Sequence, residues 1–597
     1  MTGLKKLFKM VVALFALLGF LVFLLVAAIV TAAVKYADAH RIVAPPDTVL
    51  TFTVDERVTE YAPRDRFLRE VAGRKLSILD IVTGLENAGE DPKVKGLLVR
   101  IADHNLSYAQ VQDIRDAVIA FRKTGKPAVA YTDSFGELTR GMASYYLATA
   151  FDEIYIQPAG TVDITGISAE HPFLKGLLGK LSIEPIGNTR KEYKNAWNIF
   201  TEEKFTAPHR EAVRRLLESV FDRVIADIAE ARRLEPTKVR SLVDRAPLFS
   251  GEAFAERLID GVKYRTEVIA RMEELTGCTI RTPLARYRPT ILPSAGGTTV
   301  ALIVAEGEIE RGSGTRDPFG RMNTIGSDIF AKAIRDATED PEVRAIILRV
   351  NSPGGSVVAS ETVWHEVAEA VRANKKPFIV TMSSSAASGG YYIAMAADHI
   401  IAEPATVTGS IGVIIGKMYT TEFWKKLGIS FDSEQFGKNA RIFSSLTRLD
   451  DEQRLLIERA LDGIYDTFVS RAAAARKKKP EEIEAAAKGR IWSGVDALEK
   501  GLVDELGGYR AAFAAVRSRL GLAPDSLLIL KVYPEEPTVL DLFFDRHTEN
   551  EGSAVSGGML EKVGTVVSNV AALVRLLETI MNDRGAFRVE SEEFDVR

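Results

Sequence analysis

GGYYIAMAADHIIAEPATVTGSIG, which runs from Gly389 to Gly412, has an earlier counterpart in the same chain. From Ala143 the sequence reads ASYYLATAFDEIYIQPAGTVDITG. Self-similarity that keeps its order along a chain indicates an internal duplication. We therefore predict two homologous domains, near residues 47–290 and 296–535. Three further pairs support this: DPKVKGLLVRI at Asp91 with DPEVRAIILRV at Asp340, YKNA at Tyr193 with GKNA at Gly437, and FSGEAFAERLIDG at Phe249 with WSGVDALEKGLVD at Trp492.

Apolar runs and helix-period segments alternate within each repeat. In the second repeat this pattern predicts strands at 344–350 and 377–382 and helices at 358–373 and 389–397. Strand–helix–strand alternation predicts right-handed crossovers and a mainly parallel sheet, which is an α/β fold. In such folds the chemistry lies in loops that follow the carboxyl ends of strands.

Composition excludes several classes of function. The 597 residues include 77 basic and 81 acidic side chains, a net charge of −4, so nothing indicates nucleic acid as a partner. The seven histidines are scattered and Cys278 is the single cysteine. This pattern predicts no metal site, and no cofactor is expected.

The two ends of the chain carry segments of their own. Residues 10–34 form a run of 25 uncharged residues, about 37 Å as a helix, enough to cross a ~30 Å hydrocarbon core. Lysines in residues 1–9 predict a cytoplasmic N-terminus, with the domains on the far side. A signal peptide cleaved near Ala37 is the alternative, although the run exceeds the usual ~7–15 residues. In the tail, 536–597, residues 559–581 are predicted to form an amphipathic surface helix.

Three motifs of the second repeat follow predicted strand ends, and each alone is typical of a turn. They are NSPGGS from Asn351, SSSAASGGY from Ser383 and TVTGSIG from Thr406. Paired glycines allow backbone N–H groups to approach an oxyanion. A serine between a strand and a helix exposes its hydroxyl where the helix dipole favours negative charge.

A serine nucleophile needs a base, and lysine is the remaining candidate. His399 lies on a predicted strand, and no other histidine fits a triad signature. A free lysine has a pKa near 10.4, so only about 1 in 10³ or fewer is neutral at pH 7. Burial lowers the pKa of an amine by several units and can make it a competent base.

Together, SPGG, ASGGYY and TGSIG resemble the signal peptide peptidase A family, also called protease IV, in its long duplicated form. This resemblance implies two tandem ClpP/crotonase-like repeats after an N-terminal transmembrane helix. It implies Ser388 as nucleophile and Lys194, in the YKNA segment of the first repeat, as base. Further roles that it implies are oxyanion N–H donors at Gly355 and Gly389, a turn shaped by Gly354, and orientation of the lysine by Ser410.

The repeat alignment agrees with this division of roles. Met142 stands where the second repeat has Ser388, and ADHN at 102–105 replaces SPGG. Lys438 matches Lys194 in the second repeat and is the alternative base. In single-repeat members both catalytic residues lie in one repeat, and the lysine can reach the serine of a neighbouring subunit.

The resemblance implies a serine endopeptidase in the bacterial inner membrane, with periplasmic domains. Its expected substrates are cleaved signal peptides and other unfolded apolar peptides, and a homotetramer is expected. Two alternatives remain: a crotonase-type enzyme acting on acyl-CoA, and a catalytically silent membrane scaffold. The anchor weighs against the first, and retention of Ser388 with a lysine weighs against the second.

Overall fold

The computed structural model of the chain describes residues 47–62, 76–287, 297–315, 322–373 and 376–535. The predicted anchor at 10–34 and the tail helix at 559–581 lie outside these ranges. No helix in the described ranges combines the length and apolar character needed to cross a membrane.

Short strands alternate with helices throughout the described chain. The strands are β1 (Thr48–Val54), β2 (Val94–Ile101), β3 (Ala128–Thr132), β4 (Glu153–Ile156), β5 (Thr161–Val162), β6 (Glu184–Arg190), β7 (Leu248–Phe249), β8 (Gly261–Val262), β9 (Ile280–Pro283), β10 (Thr298–Glu306), β11 (Ile309–Glu310), β12 (Ile325–Gly326), β13 (Ala345–Ser352), β14 (Phe378–Ala387), β15 (His399–Ala402), β16 (Val407–Gly409), β17 (Val413–Tyr419), β18 (Ile491–Ser493), β19 (Glu505–Leu506) and β20 (Leu528–Tyr533). The α-helices are α1 (Ile78–Glu90), α2 (Tyr108–Arg122), α3 (Met142–Ala148), α4 (Lys175–Leu181), α5 (Asn198–Thr201), α6 (Ala207–Arg232), α7 (Pro236–Arg245), α8 (Ser250–Ala255), α9 (Arg265–Thr276), α10 (Ser327–Glu339), α11 (Val357–Ala373), α12 (Gly389–Ala394), α13 (Thr421–Lys426), α14 (Asp451–Ala475), α15 (Pro480–Ala486), α16 (Gly494–Glu499) and α17 (Tyr509–Arg519).

Each repeat contributes one sheet, and the strands are mainly parallel, as the alternation predicts. The first sheet has the order β8–β4–β3–β2–β1–β9, with all neighbours parallel. The second has the order β18–β16–β14–β13–β10–β20, and its β16–β18 pair is antiparallel. β15 and β19 extend the second sheet from β14.

Helices of both repeats cover the second sheet. One apolar cluster joins Val111 and Val118 of α2 to Ile347 and Ile379, so a helix of the first repeat contributes to the core beside this sheet. A second cluster packs α10, α11 and α14 against other residues of β10 and β13. Burial of a large aliphatic side chain contributes about 1.5–3 kcal/mol, so the two repeats stabilise each other.

The strand that precedes Ser388 is longer than its apolar run predicts. The run ends near Met382, yet β14 continues to Ala387 because Ser385–Ala387 pair with β16. Pairing with a neighbouring strand, rather than side-chain hydrophobicity, thus sets this end. The following helix, α12, ends at Ala394, before the predicted 397.

The repeats keep equivalent hydrogen bonds, two of them fully buried. The Tyr145 hydroxyl donates to the Leu258 carbonyl at 2.7 Å, and the Tyr391 hydroxyl donates to the Leu502 carbonyl at 3.0 Å. Both tyrosines belong to the matched YY segments. Two further pairs of hydrogen bonds match between the repeats. The Ala128 N–H donates to the Asp152 carboxylate as the Phe378 N–H donates to the Asp398 carboxylate. The Ile154 N–H donates to the Asp260 carboxylate as the Ile400 N–H donates to the Asp504 carboxylate.

A fully buried arginine joins the two repeats. Arg349 of β13 donates to Glu60 and to Asp113, both at 2.7 Å, and to Thr381 at 3.0 Å. Glu60 and Asp113 belong to the first repeat and are buried too. A buried charge costs several kcal/mol unless it is paired and hydrogen-bonded. This network therefore stabilises the repeats only in one relative position.

Glu403 adds an acid to the same buried region. Neither of its carboxylate oxygens has a hydrogen-bond partner within the described ranges. Burial, followed by the charge of Asp113, raises the pKa of Glu403 well above its ordinary value. The raised pKa favours the neutral form of Glu403, so the carboxylates that pair with Arg349 are those of Glu60 and Asp113.

A two-stranded antiparallel ribbon, β6 with β17, crosses between the repeats. Its register places Gly187 opposite Gly416, and the Trp197 indole lies against this pair. A Cβ on Gly187 would lie 2.3 Å from Trp197 Nε1, and one on Gly416 would lie 2.4 Å from Cζ2. Only glycine fits at both positions. The ribbon thereby fixes the segment that carries Lys194.

Replacing Arg349 by leucine is expected to lower the free energy of unfolding by about 3–5 kcal/mol, because Glu60 and Asp113 lose their buried partner. Urea denaturation measures the loss. Arg214→Ala is the control, since its ion pair with Glu218 is solvent-exposed and worth about 1 kcal/mol or less. Equal, small losses in both variants would contradict the role given to Arg349.

Candidate active site

Ser388 lies in a sharp turn between β14 and α12. Its backbone has φ 54° and ψ −118°, a conformation that residues other than glycine seldom adopt. The Ser388 N–H donates to the Gly409 carbonyl at 2.9 Å, and the Tyr392 N–H donates to the Ser388 carbonyl at 2.9 Å. These bonds hold the strained turn, in which Ser388 is partly exposed.

Lys194 reaches this turn from the first repeat. Its Nζ lies 3.0 Å from Ser388 Oγ, although 194 residues separate the two in sequence. The side chain is buried, with 6 % of its surface exposed. Burial lowers the pKa of Lys194 from 10.5 to about 8. An amine with this pKa is neutral in roughly one molecule in ten at pH 7.

Ser410 holds the amine from the other side. Lys194 Nζ lies 2.9 Å from Ser410 Oγ and 3.0 Å from the Ser410 carbonyl oxygen. A neutral amine has two hydrogens and one lone pair. With both hydrogens donated to Ser410, the lone pair is directed at the Ser388 hydroxyl. This geometry suits proton abstraction from Ser388.

The predicted oxyanion glycines lie beside the serine. Gly354 has φ +110° and Gly355 has φ +155°. A Cβ on Gly354 would lie 2.7 Å from the Gly389 nitrogen and 2.8 Å from Ser388 Cβ. A Cβ on Gly389 would lie 3.1 Å from the Gly355 nitrogen. The absence of side chains thus brings the backbone N–H groups of Gly355 and Gly389 together next to Ser388.

The alternative base, Lys438, lies elsewhere in the chain. It is exposed and forms an ion pair with Glu452. The hydrogen bond with this carboxylate raises the pKa of Lys438 above its ordinary value. A charged, solvated lysine is a poor base near neutral pH.

The first repeat holds a serine–histidine pair near the position that matches Ser388. Ser144 Oγ lies 3.3 Å from His104 Nε2, and His104 Nδ1 accepts from the Leu106 N–H at 3.3 Å. Because Nδ1 accepts, Nε2 carries the hydrogen and donates to Ser144. Burial also lowers the pKa of His104 to about 4, so the ring is neutral. In this tautomer His104 cannot take a proton from Ser144.

Sequence reasoning did not identify the backbone that surrounds Lys194. Gly489 contacts the Lys194 backbone, and the Arg490 carbonyl accepts from the Ser410 N–H at 2.7 Å. These residues belong to no catalytic motif. The repeat alignment offers one signal, because Ala246 stands opposite Gly489.

Comparison with known proteins finds one family profile that matches the chain twice. The profile of Peptidase family S49 matches residues 120–279 and 370–523. The chain is 32% identical to "Protease 4" of Salmonella typhi over 488 residues, covering 79% of this chain and 76% of that protein. It is 29% identical to "Serine protease SPPA, chloroplastic" of Arabidopsis thaliana over 490 residues, covering 80% and 69%.

Two less extensive likenesses are also found. "Putative signal peptide peptidase SppA" of Enterococcus faecium is 31% identical over 217 residues, covering 36% of this chain and 61% of that protein. A solved ClpP1 mutant from Listeria monocytogenes covers 34% of this chain and 90% of its own, with 15% identity and a TM-score of 0.22. A score this low adds nothing to the fold described above.

The reactivity of Ser388 is expected to depend on pH with a midpoint near pH 8. Below that pH Lys194 is protonated, so the rate of labelling by an organophosphonate serine probe should fall about tenfold per pH unit. Mass spectrometry of the labelled protein gives the rate between pH 5.5 and 9.5. Lys194→Met is the control and should react slowly throughout. A midpoint near pH 6.5, the ordinary value for histidine, would contradict the assignment.

Proposed function

This chain belongs to peptidase family S49 and is a serine protease, and we propose that Ser388 is its nucleophile and Lys194 its general base. The distance of 3.0 Å between Lys194 Nζ and Ser388 Oγ is the observation that carries the proposal. The lowered pKa of Lys194 and its two bonds to Ser410 support it. Membership of a peptidase family favours this function over an acyl-CoA enzyme or a silent scaffold.

The reaction begins with neutral Lys194. It takes the proton of Ser388 as Oγ attacks the carbonyl carbon of a peptide bond. The N–H groups of Gly355 and Gly389 stabilise the resulting oxyanion. The lysine ammonium then gives its proton to the leaving amine, and the C–N bond breaks. Water, deprotonated by neutral Lys194, hydrolyses the acyl-enzyme and restores the Ser388 hydroxyl.

The proposed substrates are cleaved signal peptides and other unfolded, apolar peptides. The uncharged run at 10–34 supports this, because an anchor there would hold the protease beside the membrane where such peptides remain. The Enterococcus faecium relative is named for the same substrate class. We place the domains on the periplasmic face of a bacterial inner membrane and assign them the ClpP/crotonase-like fold.

We propose that four copies of the chain assemble. The far end of the β6–β17 ribbon continues into α4 and α13, and neither helix has a buried residue. Lys426 Nζ donates to the Lys180 carbonyl at 3.1 Å and so joins the two helices. We call α4, α13 and residues 427–443 the ribbon tip. Its exposed apolar side chains are Leu177, Leu181, Leu427, Ile429, Phe431, Phe436 and Phe443.

A concentration of exposed apolar side chains of this kind marks an association surface. Phe436 is 98% exposed in the single chain. A second copy is a suitable partner, because both repeats contribute to the ribbon tip and the tip has little core of its own.

The catalytic roles predict a clear order of activities against an apolar peptide. Ser388→Ala and Lys194→Met should each lower kcat/KM by at least about 10³-fold, because each removes a group that acts in the transition state. Lys438→Met is the matched control and should retain wild-type kcat/KM. Full activity of Ser388→Ala would remove the proposal. Activity that depends on Lys438 and not on Lys194 would reverse the assignment of the base.

The assembly predicts a mass of four times the 65.4 kDa chain for the detergent-solubilised protein. Phe436→Ser should shift that mass toward the single chain, since it removes an apolar contact. Phe249→Ser is the control, because Phe249 is 66% exposed but lies outside the ribbon tip. Light scattering gives the mass. A single-chain mass for the wild type would contradict the assembly.

A further inference from the structure

A segment of the second repeat holds the Lys194 segment in place. We call residues 484–490 the strap. The Tyr193 N–H donates to the Lys488 carbonyl at 3.1 Å, and the Arg490 guanidinium lies 4.8 Å from the centre of the Tyr193 ring. Two ion pairs continue the contact: Lys191 with Glu484 at 2.6 Å, and Glu192 with Lys488 at 3.2 Å.

Gly489 makes the closest approach of the strap to Lys194. A Cβ on Gly489 would lie 2.5 Å from Lys194 Cβ, 2.6 Å from its nitrogen and 2.7 Å from its Cα. Separations below 3.0 Å are essentially never seen for Cβ atoms, and two of these atoms are backbone. With a side chain at 489, the backbone of Lys194 or of the strap would have to move.

The strap also contacts the segment that carries Ser410. The Gly489 N–H donates to the Ile411 carbonyl at 2.7 Å, and the Ser410 N–H donates to the Arg490 carbonyl at 2.7 Å. One short piece of backbone therefore sets Lys194 and Ser410 at a fixed separation. That separation decides whether Nζ can reach Ser410 and Ser388 together.

The need for glycine comes from the site and not from the repeat fold. Gly489 has φ +79°, whereas Ala246, at the matching position of the first repeat, has φ −62°. The first repeat adopts its fold without glycine there, and Lys438, the counterpart of Lys194, is exposed and pairs with Glu452. The second repeat therefore has glycine, where the first has alanine, at the position that packs against the active site.

We propose that Gly489 is a positioning residue for the catalytic lysine: its missing side chain lets the Lys194 backbone pack against the strap, so that Nζ reaches Ser388 and Ser410. The proposal rests on the function proposed above for Ser388 and Lys194. Gly489 acts through Lys194 and touches neither substrate nor the reacting atoms.

Two consequences of Gly489→Ala can be measured separately. Displacement of Lys194 lengthens the path of proton transfer, and a misplacement of about 1 Å can cost on the order of 10²-fold in rate. Displacement also admits water to the amine and favours its protonated form. The acid limb of the pH profile should then move to higher pH.

The test compares Gly489→Ala with Gly521→Ala in the full chain, using cleavage of an apolar peptide. We expect Gly489→Ala to lower kcat about 10–100-fold with little change in KM, and to raise the acid limb of the pH profile by at least about half a pH unit. Gly521 has φ +65° with no atom within 4 Å of its Cβ position, so its variant carries the same backbone cost without the contact. Gly521→Ala should keep the wild-type kcat and the wild-type position of the acid limb.

A second variant covers a failure of Gly489→Ala to fold. Arg490→Ala removes the stacking on Tyr193 and leaves the backbone contact intact. Arg490→Ala should also move the acid limb of the pH profile to higher pH, by a smaller amount than Gly489→Ala. Unchanged kcat and limb in both variants, or a loss of kcat with the limb unmoved, would overturn the proposal.

A readout without catalysis separates this proposal from the proposed function. In a Ser388→Ala background, competitive labelling by acetic anhydride and mass spectrometry gives the pKa of Lys194. Gly489→Ala should raise it relative to Gly521→Ala, whether or not the wild type cleaves peptides. An equal pKa in the two variants would overturn the positioning role.

Discussion

A primary amine can act as a base near pH 7 only if it is removed from water, and this constraint governs the structure around Lys194, the proposed base. Burial lowers the pKa of this amine to about 8, and no carboxylate in the described part of the chain opposes the effect. The elements around Lys194 keep its amine in this buried position. The ribbon carries the segment across the repeat boundary, Trp197 fixes the ribbon, and Ser410 supplies the acceptors that replace water.

Comparison of the two repeats separates the residues that stabilise the fold from those of the candidate active site. Hydrogen bonds such as those of Tyr145 and Tyr391 occur in both repeats, because they stabilise the sheet and its helices. The loops beyond the strand ends have diverged, with Met142 opposite Ser388 and Ala246 opposite Gly489. In the proposed assignment, the first repeat has kept the base and the second the nucleophile. The buried Arg349 network then fixes the relation between them.

The sequence was informative wherever the determining forces are local. Apolar periodicity predicted β13 and α11 to within two residues at each end, because alternating burial leaves a trace in neighbouring residues. It failed at the end of β14, where pairing with β16 carries polar serines into the strand. The approach of Lys194 to Ser388 could not be derived from residues alone, and its prediction came from family resemblance. The contacts of Gly489 and Trp197 join distant segments and leave no periodic signal.

The order of the two repeats along the chain has a consequence for biosynthesis. Translation makes Lys194 long before Ser388, and the strap follows Ser388 by about a hundred residues. A nascent chain that has just been extended past Ser388 still lacks the strap, whose backbone positions the Lys194 amine. Lys194 and Ser388 can therefore be brought together in their proposed roles only after nearly all of both repeats has been made.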